Sequence, residues 1–120
     1  MNQLFDNPHD RFDPEWIIRS YMDWIYDSGY FVEMVSNVVK RCSFTTDDVA
    51  CRFPDKDSYF EEDHFEGVEV IVALGAPDPD EIIVPESVFW TYLRMACKKY
   101  LDKHPGDRMV IATSLDSLSA

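Results

Sequence analysis

Residues 65–103 carry the strongest structural pattern in the chain and read FEGVEVIVALGAPDPDEIIVPESVFWTYLRMACKKYLDK. The first part, 65–74, has a valine at every second position in its middle, which is typical of a strand with one buried face. A proline-containing segment over 76–80 predicts a turn, and the apolar run over 81–84 returns from it. This part of the chain therefore predicts an antiparallel hairpin.

The second part, 85–103, predicts a long helix because apolar residues recur at intervals of three and four. Pro85 suits the first position of a helix, and the sequence His104, Pro105 and Gly106 ends it. The apolar stripe should cover the sheet. Its members are Val88, Phe89, Tyr92, Leu93, Ala96, Cys97, Tyr100 and Leu101.

Outside this stretch, the sequence predicts three further helices and one further strand. Asp13, Pro14 and Glu15 form a helix start, and the first helix should run over 14–28 until Gly29 ends it. A second helical stripe covers 30–41, a strand covers 49–53, and 107–115 could form a last short helix. The predicted fold is α+β in a single domain over 1–120, with an N-terminal helical hairpin, a three-stranded antiparallel sheet and a long C-terminal helix packed on the sheet.

The charge of the chain is strongly negative and unevenly distributed. Twenty-three Asp and Glu residues face eleven Lys and Arg residues, which gives a net charge of −12. The segment 1–46 contributes −3, 47–86 contributes −11 and 87–120 contributes +2. A field of this sign disfavours binding to nucleic acid or to an anionic membrane and favours a basic protein partner.

The acidic segment permits two interpretations. Runs of acids are often solvated loops with no partner. In this chain, however, the acids are interleaved with Phe53, Tyr59, Phe60 and Phe65, and aromatic anchors surrounded by charge are typical of a specific interface. Each of these aromatic residues could also belong to the core.

The sequence contains no motif for catalysis or for a cofactor. The acidic run of Asp55, Asp57, Glu61, Asp63 and His64 lacks the glycine and the ligand order of a calcium loop. The four glycines form no phosphate-binding loop, and the three histidines form no metal-binding pattern. The sequence therefore predicts no catalytic residues, no metal and no cofactor.

The cysteines and the hydropathy of the chain indicate its compartment. Cys42, Cys51 and Cys97 are odd in number and have no CxxC spacing, so we expect reduced thiols. No stretch approaches the ~20 apolar residues that span a bilayer, and residues 1–10 do not have the pattern of a signal peptide. We expect a cytoplasmic protein.

The C-terminal half resembles a known family over roughly residues 51–107. It is similar to the ribonuclease-toxin immunity proteins of bacterial contact-dependent growth inhibition systems. The resemblance implies a small, acidic, cytoplasmic protein without catalytic activity, which binds the C-terminal nuclease domain of a cell-surface effector and blocks it. The residues that carry the resemblance are Phe65, Glu66, Gly67, Val68, Ile83, Val84, Phe89, Leu93, Ala96, Cys97, Tyr100, Leu101, His104 and Pro105.

These matched residues are mostly apolar and define a scaffold, so we expect the partner-specific contacts in the acidic loops. The partner would be the cognate basic nuclease toxin domain. The predicted toxin-binding residues are Asp55, Asp57, Tyr59, Glu61, Glu62, Asp63, His64, Glu66, Asp78, Asp80 and Glu81.

Two other functions fit parts of the pattern. An acidic regulator could bind the nucleic-acid-binding face of a basic DNA-binding protein, and charge alone does not separate it from an immunity protein. A metal-dependent hydrolase could use Asp55, Asp57 and His64.

Overall fold

The computed structural model describes residues 4–5, 13–73 and 78–118. Its sheet has four antiparallel strands in sequence order. They are β1 (Phe44–Thr45), β2 (Val49–Arg52), β3 (Val68–Val72) and β4 (Asp80–Val84). The α+β prediction is confirmed, and the sheet differs from it by β1, whose two residues are too few to form a recognisable alternation. The end of the predicted strand at Leu74 and the start of the predicted turn lie outside the described residues.

Four α-helices accompany the sheet. They are α1 (Trp16–Asp27), α2 (Phe31–Val38), α3 (Glu86–Lys103) and α4 (Arg108–Asp116). Short 3-10 turns cover Glu61–Asp63 and Pro105–Asp107. The helical hairpin, the long helix after the sheet and the short last helix all correspond to the predicted elements.

The first helix begins two residues later than the sequence predicted and ends close to the predicted residue. The Glu15 amide donates a hydrogen bond of 3.0 Å to a carboxylate oxygen of Asp13 in the turn that precedes α1, and α1 itself starts at Trp16. Gly29 has a φ of +85° just after the helix, in the left-handed region that favours glycine. The chain therefore reverses there and continues into α2.

The core lies between the helices and one face of the sheet. Val68, Val70 and Val72 of β3 are buried, and the residues between them are partly exposed, so the alternation along the strand separates an inner from an outer face. Helix α1 lies against β2, β3 and β4, and its Tyr21 is fully buried. The face of α3 that is buried in the same core consists of Phe89, Leu93, Ala96, Cys97 and Tyr100.

A buried carboxylate ties the beginning of the chain to α1. One oxygen of Asp23 accepts hydrogen bonds from the amides of Leu4 and Phe5, at 2.6 and 3.2 Å. Both of these apolar residues are buried in the core cluster. Leu4 and Phe5 are therefore part of the folded domain.

The outer face of the sheet is mixed in character. The strand register places Ala50, Ile71 and Glu81 side by side on this face, followed by Arg52 and Glu69. Ala50 and Ile71 are partly exposed and Glu81 is exposed. The predicted binding residues near the two ends of β3 are therefore attached to a sheet whose inner face packs in the core.

Candidate functional site

The connection between β2 and β3, residues 53–66, is an acidic loop with its own internal hydrogen bonds. The amide of Asp55 donates to the Asp63 carbonyl oxygen across the loop at 2.8 Å. The amides of Ser58, Asp63 and His64 donate to carbonyl oxygens within the loop at 2.9 to 3.1 Å. We call residues 53–66 the acidic loop; these bonds give it a defined backbone.

Arg52, the last residue of β2, links the acidic loop to the sheet. Its guanidinium donates to Asp63 at 2.5 Å and to Glu69 at 2.7 Å, and it lies over the ring of Phe65 at 5.7 Å. All three partners are partly buried. One guanidinium therefore pairs with both carboxylates and offsets one of their two negative charges, and the partial burial of all three side chains strengthens the pairing relative to a fully exposed pair.

Two predicted binding residues take part in this internal network. The second carboxylate oxygen of Asp63 accepts a hydrogen bond of 2.6 Å from the Ser58 hydroxyl. The Nε2 of His64 donates to the Ser58 carbonyl oxygen at 2.7 Å. In this conformation both side chains stabilise the loop.

The remaining predicted residues of the acidic loop are available to a partner. Tyr59 is 95% exposed. The exposed carboxylate side chains are those of Asp55, Asp57, Glu61, Glu62 and Glu66. Five acids and an aromatic ring therefore share one short loop at one end of the sheet.

The structure places the other predicted acids at the opposite end of the sheet. Val72 pairs with Asp80 at the end of β3 that is remote from the acidic loop, whereas Arg52 pairs with Glu69 near its start. Asp78, two residues before the start of β4, is exposed. Because a strand rises about 3.3 Å per residue, the length of β3 alone separates the two groups by about 13 Å.

Glu81 and two acids outside the predicted set complete this second group. Glu81 is exposed on the outer face of β4. Asp47 and Asp48 lie in the turn between β1 and β2, and the Asp48 carbonyl oxygen accepts a hydrogen bond of 2.8 Å from Ala73. The structure therefore divides the predicted site into two acidic groups.

Sequence reasoning did not assign a role to Arg52 or include Phe60 among the binding residues. Phe60 is 60% exposed, whereas Phe53 stacks on Trp90 with ring centroids 6.0 Å apart. Arg52 could have been noticed because it is one of two bases in the segment 47–86, next to thirteen acids. The sequence has no comparable signal that shows which of these aromatic residues are exposed and which are buried.

The described residues bear on the metal and thiol chemistry considered above. Within 4–5, 13–73 and 78–118, no three His, Cys, Asp or Glu side chains are grouped so as to hold a metal ion.

Burial raises the pKa of Cys97 to about 12 and also raises the pKa of Cys51 well above its usual range. Both thiols are therefore protonated at neutral pH. The third cysteine, Cys42, is exposed.

An aromatic cluster joins α1, α2 and the end of α3. The ring of Tyr100 stacks between Phe31 and His104, with both pairs of centroids 4.6 Å apart. The hydroxyl of Tyr26 lies 2.8 Å from Nε2 of His104. These rings fill the space between α2 and the end of α3, which assigns them a structural role.

The protein is a small α+β domain with an acidic loop whose backbone is fixed by internal hydrogen bonds. A domain of this class is suited to binding another protein. The model of a family described as CDI immunity proteins, in which CDI stands for contact-dependent growth inhibition, matches residues 14–115. The chain belongs to this family. No curated protein sequence matches the chain.

The fold is also similar to that of a solved structure. The crystal structure of an immunity protein from Neisseria meningitidis MC58 superposes with a TM-score of 0.76 and 16% identity, covering 97% of this chain and 98% of that chain. At this identity the similarity concerns the fold alone.

In the part of the chain that the structure describes, no helix is long and apolar enough to cross a membrane.

Proposed function

We propose that this protein is an immunity protein that binds the C-terminal ribonuclease toxin domain of a contact-dependent growth inhibition effector and neutralises it. Membership of the CDI immunity protein family supports a toxin as the partner. The observation that carries the choice of a basic partner is the charge of the segment 47–86, which is −11. The resemblance to ribonuclease-toxin immunity proteins supports a partner that cleaves RNA.

The proposed inhibition is steric and electrostatic. A ribonuclease holds RNA phosphates in a basic cleft, and an acidic protein surface can occupy that cleft and exclude the substrate. The exposed carboxylates of Asp57, Glu61 and Glu62 are the groups through which the acidic loop would meet it. Attraction of this kind raises association rates to as much as about 10⁸–10⁹ M⁻¹s⁻¹ at low salt.

The protein would act by stoichiometric binding and not as an enzyme, in the cytoplasm, where the RNA substrate of such a toxin lies. Protection requires that the toxin is bound before it cleaves RNA. We therefore expect a dissociation constant of about 1 nM or below, or about −12 kcal/mol.

The experiment that tests this function uses the toxin domain encoded next to this chain. The toxin domain should arrest cell growth when expressed alone and should not do so when co-expressed with this protein. In vitro, an equimolar amount of the purified protein should abolish RNA cleavage, and calorimetry should give a one-to-one complex. Growth arrest that continues at equal expression, without complex formation, would contradict the proposal, and capture of a DNA-binding protein instead would favour the acidic-regulator alternative.

A further inference from the structure

Tyr59 and Phe60 form an aromatic pair that the fold does not use for its core. Their side chains are 95% and 60% exposed, and their ring centroids lie 5.9 Å apart in an edge-to-face arrangement. Phe53 and Phe65, near the two ends of the acidic loop, are both partly buried. Two large adjacent aromatic side chains in water are unfavourable for an isolated domain, and such residues are enriched among the anchors of protein interfaces.

The loop holds this pair outward in a fixed geometry. The amide of Phe60 donates to the hydroxyl of Ser58 at 3.2 Å, and that hydroxyl donates to Asp63 at 2.6 Å. Asp63 is in turn bound by Arg52 at the end of β2. The backbone on both sides of the rings is therefore ordered before any partner arrives, which lowers the entropic cost of binding.

The charges around the pair define the chemistry of the partner. Asp57, Glu61 and Glu62 are exposed within three residues of the rings. A lysine or arginine of a partner could pair with these carboxylates while it lies over the face of Tyr59. The complementary surface is a shallow apolar pocket with a basic rim.

We infer that Tyr59 and Phe60 are the anchor residues of the toxin interface and that Arg52 is the residue that positions them. This inference rests on the proposed function. It selects the acidic loop, and not the acidic group at the other end of the sheet, as the binding surface. Tyr30, the exposed aromatic residue near the opposite group, is 45% exposed, so it offers less of its side chain to a partner than Tyr59 does.

The test compares the Tyr59→Ala, Phe60→Ala double variant with Met109→Ala. Met109 of α4 is 82% exposed, so its truncation removes a similar apolar group from a surface outside the acidic loop. The probe is the purified toxin domain encoded next to this chain, and the readout is surface plasmon resonance. We expect the double variant to bind at least about 100-fold more weakly, mainly through faster dissociation, and Met109→Ala to bind like the wild type.

Thermal unfolding separates a loss of contacts from a loss of fold. Because both rings are exposed, the double variant should unfold at the temperature of the wild type. A double variant that folds and binds with unchanged affinity would overturn the inference and leave the proposed function intact. A folded wild-type protein that neither binds the toxin domain nor prevents RNA cleavage would overturn the proposed function itself.

Discussion

Gly67 lies so close to the carbonyl oxygen of Val84 that a Cβ atom at this position would overlap it. Gly67 also has a φ of +97°, in the region that other residues avoid. The two residues sit where the acidic loop enters β3 and where β4 ends. The glycine therefore lets the acidic loop join the sheet next to the last residue of β4.

Three glycine substitutions separate these two effects. Gly67→Ala combines the overlap with the backbone strain and should destabilise the protein by at least about 2 kcal/mol. Gly29→Ala has the strain but open space around its Cβ, and should cost about 1 kcal/mol. Gly106→Ala has neither and should be nearly neutral. Urea unfolding measures all three, and equal values for Gly67→Ala and Gly106→Ala would contradict this description of the loop entry.

Arg52→Met should loosen the acidic loop. It leaves the partly buried carboxylates of Asp63 and Glu69 without their cation, and we expect a loss of about 1–3 kcal/mol in unfolding free energy. Hydrogen exchange of the Asp55 and Asp63 amides should become faster. The matched control is Lys56→Met, which removes the same charge from an exposed position in the same loop and should change neither quantity.

Charge reversal distinguishes the two acidic groups. Glu61→Lys with Glu62→Lys should slow association with the toxin domain by about tenfold or more at low salt, because these carboxylates steer the encounter. Asp78→Lys with Glu81→Lys changes the net charge equally at the other end of the sheet and should slow association less. Stopped-flow fluorescence at low and high salt measures both rates; a larger effect of the second pair would place the binding surface at the opposite end.

The three thiols should react at very different rates. At neutral pH we expect a thiol reagent to modify Cys42 quickly in the folded protein. Cys51 and Cys97 should react only after unfolding, because they are buried and burial raises the pKa of both. Mass spectrometry before and after addition of denaturant counts the modified thiols, and rapid modification of all three without denaturant would argue against the core described here.

Alkaline pH should destabilise the fold. Burial and the hydrogen bond to Asp107 raise the pKa of Tyr100 from 10.0 to about 12, and burial and the hydrogen bond to Glu15 raise the pKa of Tyr92 to about 12. A tyrosine with a raised pKa in the folded state stabilises the protein below its unfolded pKa and loses this contribution as the pH rises from that value to the folded pKa. Denaturant unfolding across this interval should show a falling free energy, and a flat profile would contradict the two assignments. Tyr92→Phe with Tyr100→Phe should make the fall in unfolding free energy smaller, and the part that remains is expected from Tyr21, Cys51 and Cys97, whose pKa is also raised by burial.

The sequence predicted the elements with long and regular patterns. The valine alternation of β3 and the apolar stripe of α3 both correspond to buried faces in the structure. Gly29 also correctly marked the end of α1, whereas α1 starts at Trp16, two residues after its predicted start. These features are local, so a single sequence is enough to reveal them.

The arrangement of the predicted binding residues is not a local property. Whether Asp63 and Asp78 lie together depends on strand register, which places them at opposite ends of β3. Whether Asp63 faces a partner or an internal arginine depends on the path of the acidic loop and on Arg52. Charge counting along the chain located the acidic residues in the segment 47–86 but could not divide them into two groups.

The acidic loop leaves β2 and enters β3, which are neighbouring strands whose backbones lie about 5 Å apart. Its two ends are therefore fixed by the sheet, while residues 53–66 between them include none of the fully buried core residues. We therefore expect that this segment can be exchanged. Replacing it with the corresponding segment of a relative should transfer the choice of toxin while the rest of the domain stays folded.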